Sequence, residues 1–343
     1  MPYLVRSACL IGYVDLARSV GLEPLLLLKE AGLDRDCLSD PERKISVDAV
    51  RRLLNLSASA AQMDDFGLRL AEARPLSFLG PLSLAIRDAG TLREALDTAS
   101  RYLPLHRDGV VLSLEKMDDA AIYKMVVLAS RSSHPRQSVE AGIGVWHRII
   151  RQLLGGAQRT HTVWFSHSAP ADMTAHQRMF GPEVEFGRDC TGILLETRDL
   201  DAPLPAADLL MAQHVRQYLE PMLAQRNVAL SEKVRQLVYQ LLPSGRCSVE
   251  QLAARLDMNP RTLHRYLARE GDTCWSIVDD VRVGLARRYV EDDGLSFGDI
   301  SDSLGFSNRS AFSRWFRTSF ASSPTEWRDL HSPEGRGGAS DRA

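Results

Sequence analysis

The chain has 343 residues, 44% of them hydrophobic and 25% charged, with a formal net charge of −2 at pH 7. That length suffices for two globular domains, and the near balance of charge excludes a uniformly basic nucleic-acid binder, so any positive potential has to be local. Five cysteines, Cys9, Cys37, Cys190, Cys247 and Cys274, show neither Cys-x-x-Cys pairing nor zinc-ligand spacing, so no metal is expected and the thiols are read as reduced packing residues. The apolar stretches of the N-terminus are interrupted by Arg6, Asp15, Arg18 and Glu23, which fits neither a signal peptide nor a membrane span. A cytoplasmic protein without a membrane partner is expected. The sequence contains no Gly-x-Ser-x-Gly elbow, His-Glu-x-x-His helix, Walker loop or Gly-x-Gly-x-x-Gly turn, so no catalytic residue and no cofactor is assigned.

From Val5 to about Leu105 the pattern is helical. Residues 11–20, 23–31, 47–61, 82–89 and 92–103 repeat apolar side chains every three or four positions, punctuated by Gly21, Gly32, Gly67, Gly80 and Gly90. The period then changes. Residues 109–115 and 121–128 read as strands joined in a hairpin at 117–119, a helix follows over about 137–154, and 160–166, 184–186 and 192–196 read as further short strands. This is an α+β N-terminal domain, helices plus a small antiparallel sheet. Tyr102, His106, Tyr123, Trp146, His147 and Trp164 combine aromatic surface with polar tips, but such residues are more often core, and no effector-binding residue is assigned among them.

After Pro203–Pro205, residues 206–224 read as one amphipathic helix, open to a bend before Pro221, without a clean heptad. It either packs on its own domain or pairs two copies into a homodimer. A hinge at 226–231 precedes a helix over 232–242.

The last third repeats itself. Ser248–Leu267 is echoed by Ser296–Phe316: Leu252 matches Ile300, Leu256 matches Leu304, Leu263 matches Phe312 and Leu267 matches Phe316, with one extra residue in the second turn. Ser248 with Gln251, and Ser296 with Asp299, place a side-chain acceptor at a helix start. Asn259 before Pro260 reads as a second N-cap, since proline lacks only a donor that a helix start leaves unpaired. In the second copy Ser307 or Asn308 caps and Gly305 suits the turn. Leu263, Tyr266 and Leu267 should face inward, leaving Arg261, His264, Arg265 and Arg269 outward. In the second copy Phe312, Trp315 and Phe316 should pack, leaving Arg309, Ser310, Ser313, Arg314 and Arg317 outward. No Asp or Glu occurs from Ser303 through Thr325, so that surface can approach phosphates without like-charge repulsion. The alternative is a pair of helical hairpins with solvated arginine edges, which two tandem copies with this arginine placement disfavour. The tail after residue 330 lacks apolar residues and is expected to be disordered.

The stretch from about Ser231 to Leu330 resembles the DNA-binding domain of the AraC/XylS transcription regulators. The family's second half typically ends in phenylalanine, a basic run, then Gly-x-Ser-Pro-x-x-Tyr-Arg; here Phe316–Arg317 is followed by Ala321–Ser322–Ser323–Pro324–Thr325–Glu326–Trp327–Arg328. Ala321 replaces the usual glycine and Trp327 the tyrosine, and the alanine strains the turn if the backbone there takes positive φ. The resemblance implies an all-α domain over 229–330 with two helix-turn-helix units, 248–269 and 296–317, joined by a long helix over 274–291. Trp275, Ile277, Val278, Val281, Leu285, Ala286 and Tyr289 recur there at near-helical spacing, and Arg282, Arg287 and Arg288 are placed to reach phosphates. About seventeen helical residues span about 25 Å, which suits heads entering major grooves of double-stranded DNA about 34 Å apart. By the same resemblance Arg261, His264, Arg265, Arg309, Ser310, Ser313 and Arg314 contact bases, Arg265 and Arg314 foremost, while Arg269 and Arg317 contact phosphate.

The first 205 residues, through Ala31–Asp34, Phe66–Leu70, Leu79–Leu82 and Leu92–Leu96, are similar to the N-terminal arabinose-binding-type effector domain of the ornithine-utilisation subgroup of these regulators. That implies a sensor of a small-molecule effector that biases DNA binding or contact with RNA polymerase, with 206–228 as connecting helix and hinge. The expected function is an effector-controlled transcription activator. The competing readings are a ligand-independent repressor or protein-controlled regulator, and a catalytic domain fused to a DNA reader.

Overall fold

The computed structural model describes residues 3–117, 119–127, 136–155, 161–226, 229–242, 247–291 and 295–331. The expected disordered tail and parts of the hinge, the acidic segment after Val290 and the hairpin turn lie outside them. The chain divides into two compact units, Met1–Arg226 and Asn227–Ala343.

The first unit is not helical from its start. Strand β1 (Leu4–Arg6) pairs antiparallel with β2 (Lys44–Ser46), Val5 opposite Ile45. Three-residue strands are too short to show alternation, which is why this sheet is hidden in the sequence. Around it stand α1 (Tyr13–Ser19), α2 (Pro24–Glu30), α3 (Val47–Ala60) and α4 (Phe66–Ala73), closing over a core that includes Tyr13, Leu28, Leu53, Phe66 and Leu70. Ser46 caps α3 by accepting from the Ala49 amide. Gly67, expected as a break, lies inside α4 and packs on the chain at Gln137, where a Cβ would sit 2.2 Å from the carbonyl oxygen. The glycine permits close approach of two backbones, not a turn.

Helices α5 (Pro81–Arg87) and α6 (Leu92–His106) lead into a five-stranded sheet of β3 (Val110–Lys116), β4 (Ala120–Val127), β5 (Val163–Trp164), β6 (Val184–Glu185) and β7 (Gly192–Glu196), in the order β3-β4-β7-β5-β6. Every pairing is antiparallel except β5 with β6. Helix α7 (Arg136–Leu153) covers it: Trp146 meets Tyr123 edge-on at 5.7 Å, and Gly142 and Gly144 let the helix press against Met125 and Met179. Short helices α8 (Thr174–Phe180) and α9 (Thr197–Leu200) were not legible in the sequence.

Helix α10 (Leu209–Gln225) runs unbroken through Pro221 and lies on α5 and α6, where Glu220 accepts from the Tyr102 hydroxyl at 2.6 Å and from Arg101. Arg226, just beyond it, pairs with Asp108, whose second oxygen accepts from the Leu4 amide at 3.0 Å.

The second unit is all-helical. It comprises α11 (Leu230–Leu241), α12 (Val249–Arg255), α13 (Pro260–Arg269), α14 (Cys274–Val290), α15 (Phe297–Ser303), α16 (Arg309–Phe320) and α17 (Pro324–His331). Thr273 opens α14 with a reciprocal capping box to Ser276. Among the described residues no helix is long and apolar enough to cross a membrane.

Candidate nucleic-acid interface

Local chemistry starts each helix of the two tandem hairpins. Ser248, Asn259, Ser296 and Asn308 accept from the amides of Gln251, Thr262, Asp299 and Ala311, each three residues on, so the helix starts satisfy one of their free donors. The turns span residues 256–259 and 304–308, the second one residue longer. Each contains a left-handed residue, Asp257 at φ 52° and Gly305 at φ 67°. Leu252, Leu263 and Leu267 are buried in the first hairpin, and Ile300, Leu304, Phe312 and Phe316 in the second.

What remains outside is arginine. Arg261, His264, Arg265 and Arg269 on α13, and Arg309, Ser310, Arg314 and Arg317 on α16, are exposed, while Ser313 is half-buried. Among the described residues none of these six arginines pairs with a carboxylate. Glu270, at the end of α13, is occupied elsewhere, accepting from the Leu230 and Ser231 amides at 2.8 Å and so capping α11. Glu250 lies close to the first face: its own backbone amide and Ser248 hold its carboxyl below the usual range, and His264 adds to this.

Three expectations need correction. Tyr266 does not pack inward. It is 40% exposed, with the guanidinium carbons of Arg265 and Arg269 at 5.4 and 5.2 Å from its ring centroid. Only Leu263 and Leu267, four apart, reach the core, so Tyr266 serves as a platform that spreads two cations along the outer face. Trp275 is likewise outside, 69% exposed at the first turn of α14. Arg282 is not held out for phosphates. It donates to the carbonyls of Leu304 at 2.9 Å and Gly305 at 3.2 Å and covers the Phe306 ring at 4.5 Å, fastening the second turn to α14. The side chain of Arg288 lies outside the described residues.

Further ties make α14 the mount of the second head. The Trp315 indole donates to Asp279 at 2.6 Å, and Arg328 donates to the carbonyls of Val290 at 2.9 Å and Leu295 at 2.8 Å while lying 4.1 Å over Phe297. Phe316, Phe320 and Trp327 stack behind α16. Ser323 and Glu326 cap α17 reciprocally. Ala321 stands at φ 54°, ψ 20°, so the alanine carries the left-handed strain that a glycine there would avoid. The ties of Arg282, Trp315 and Arg328 were not legible in the sequence because their partners lie 22 to 38 residues away.

In the first unit, Trp146 and His106 of the six polar-tipped aromatics line a cavity of about 60 Å³. The other four are committed elsewhere. Tyr123 is buried with its hydroxyl 3.4 Å from Ser100, Tyr102 binds Glu220, His147 packs on Phe180, and Trp164 lies beneath Arg188.

Residues 21–204 match the family model described as the arabinose-binding N-terminal domain of AraC transcription regulators, and residues 252–329 match a helix-turn-helix domain. The chain is 33% identical over 336 residues to the HTH-type transcriptional regulator VirS of Mycobacterium tuberculosis, covering 97% of this chain and 98% of that protein. It is 25% identical to the ornithine utilization regulator of Pseudomonas aeruginosa, over 95% and 96% of the two chains. Over 150 residues, 40% of this chain and 45% of the other, it is 30% identical to the transcriptional activator NphR of a Rhodococcus species.

Proposed function

The chain belongs to the AraC family of DNA-binding transcriptional regulators, and from that premise we propose that it activates transcription by setting α13 and α16 in successive major grooves, under control of a small molecule held by the first unit. The observation that carries this reading is the pair of exposed arginine faces, capped, free of carboxylate partners among the described residues and mounted on either side of one 17-residue helix about 25 Å long. Arg261, His264 and Arg265, with Arg309, Ser310, Ser313 and Arg314, read bases, and Arg265 and Arg314 contribute most because arginine matches guanine with two hydrogen bonds. Arg269 and Arg317, later on their helices, hold phosphates. Residues 229–330 bind the operator, 1–205 sense, and 206–228 connect the two. Because one chain carries both heads, a monomer suffices to grip a site two helical turns long. Activation, as opposed to repression, is supported by the name of the Rhodococcus relative, a transcriptional activator.

The test is genome-wide binding of the intact protein, followed by transcription from the bound promoters with and without the protein. The expected result is a motif of two blocks about one helical turn apart, 10–10.5 base pairs centre to centre, and loss of transcription without the protein. A single block would remove one head from DNA reading, and transcription that rises without the protein would make it a repressor.

A further inference from the structure

The cavity of the first unit is an apolar chamber with a cationic end. Its walls include Val50, Leu54, Phe78, Leu103, Met125 and Trp146, and Arg74, Arg107, His106, Ser138 and Cys9 also line it. Its volume of about 60 Å³ is room for several waters. Arg74, the residue that ends α4, is 8% exposed, and its guanidinium carbon lies 5.7 Å from the Phe78 ring. Arg107 ends α6. The Nε of each is buried without a hydrogen-bond partner, and neither makes an ion pair among the described residues. Arg51, buried nearby, has its own carboxylate in Asp48 at 3.4 Å.

Arg74 is buried and Arg107 half-buried with a buried Nε, and a guanidinium withdrawn from water without an anion is a costly arrangement. The wall offers no counter-ion. It contains no Asp or Glu, and burial pushes the Cys9 thiol up, so it stays protonated at neutral pH. Burial first, then the Arg51 charge, pushes Arg107 down to about 10, still charged at neutral pH. His106 is neutral: burial, then Arg6, holds it well below its ordinary value, and its Nδ1 faces the Arg6 guanidinium at 3.2 Å, which leaves Nε2 as the protonated donor.

We propose that this cavity is the effector site and that it takes a small monocarboxylic acid, the carboxylate on Arg74 and Arg107 and a short alkyl body against Phe78, Met125 and Trp146. The inference rests on the effector-sensing reading of the first unit. The planar fork of a guanidinium matches the two oxygens of a carboxylate. A single cationic end on an otherwise apolar wall suits one anionic group, and an uncharged sugar would leave both guanidiniums without a counter-ion.

The probes are acetate and propionate, sized to the cavity, with ethanol, 1-propanol and inorganic phosphate as controls, titrated calorimetrically into the full chain. The acids should bind at least about tenfold tighter than the matched alcohols and tighter than phosphate, and Arg74→Met and Arg107→Met should each weaken the acids by about tenfold or more. Removing a buried charge should not lower the melting temperature of either variant without acid. Arg107→Lys, which keeps the charge without the fork, provides a second folded variant and should bind with intermediate affinity. Equal binding of acid and alcohol, equal binding of phosphate, or variants that bind acid like the parent would overturn the assignment. Binding to the motif recovered genome-wide is read separately by gel shift. If acids fail while that binding persists, only the cavity assignment falls, whereas absence of operator binding removes the DNA-reading function itself.

Discussion

Arginine stands in opposite surroundings in the two units of this chain. In the first, Arg51 and Arg74 are buried and Arg107 has a buried Nε, so only an anion brought inside can meet those that lack a carboxylate. In the second, Arg261, Arg265, Arg269, Arg309, Arg314 and Arg317 face solvent from two capped helices, where an extended polyanion can reach all of them. One side-chain chemistry thus stands in two settings, beside an apolar chamber and on an open face, and packing decides which. A net charge of −2 conceals both.

The largest effect should come from separating the units by stability. Phe316, fully buried in an aromatic stack with Phe312, Phe320 and Trp327, should cost about 3–5 kcal/mol when replaced by alanine. Calorimetry should show the transition of the second unit falling while that of the first stays; one transition moving as a whole would break the comparison. Acid should do the reverse. His147, pushed down to about 3 by burial, and His106 are neutral when folded and ordinary, near 6.5, when unfolded. The unfolded chain therefore takes up protons first, so the stability of the first unit is complete above about pH 6.5 and falls below it, by up to about 1.4 kcal/mol per pH unit for each histidine. Denaturant midpoints at pH 7 and pH 5.5 check this, and a first unit indifferent to pH would refute it.

On the open face, Arg265→Ala and Arg314→Ala should each cost about 1–3 kcal/mol of operator affinity and relax preference at one base pair. Uniform weakening on every sequence would reassign them to phosphate. Arg317→Ala should weaken all sequences alike and reduce the slope of log affinity against log salt by about 0.9; an unchanged slope removes it from the phosphate contacts. The smallest change, Ala321→Gly, relieves a left-handed alanine and should stabilise the second unit by about 0.5–1 kcal/mol in thermal melts, with operator preference unaltered.

Legibility followed the distance over which each feature is determined. Caps at Ser248, Asn259 and Ser296 act over three residues, and the β3–β4 hairpin carries strand-forming runs of seven and eight, so both were readable. The pairing of β1 with β2 joins two three-residue strands that have no periodicity to detect. Gly67 looked like punctuation because the backbone it touches is 70 residues away. Tyr266 was assigned inward by spacing alone, whereas flanking arginines hold it at the surface. The cavity arginines left no sequence signal, since Arg74 and Arg107 each follow an ordinary helix end and arginine is normally a surface residue.

The pairing of Arg226 with Asp108 lies within the first unit, one residue from the chamber wall in sequence. A carboxylate has two oxygens, and Asp108 gives one to the Leu4 amide and the other to Arg226. Arg107, its peptide neighbour, contributes to the cavity wall. Arg226 ends the first unit. The polypeptide therefore leaves its first unit at an ion pair whose acidic half shares a peptide bond with a wall of the chamber. Moving that peptide bond would move Asp108, and with it the ion pair that holds the last residue of the first unit.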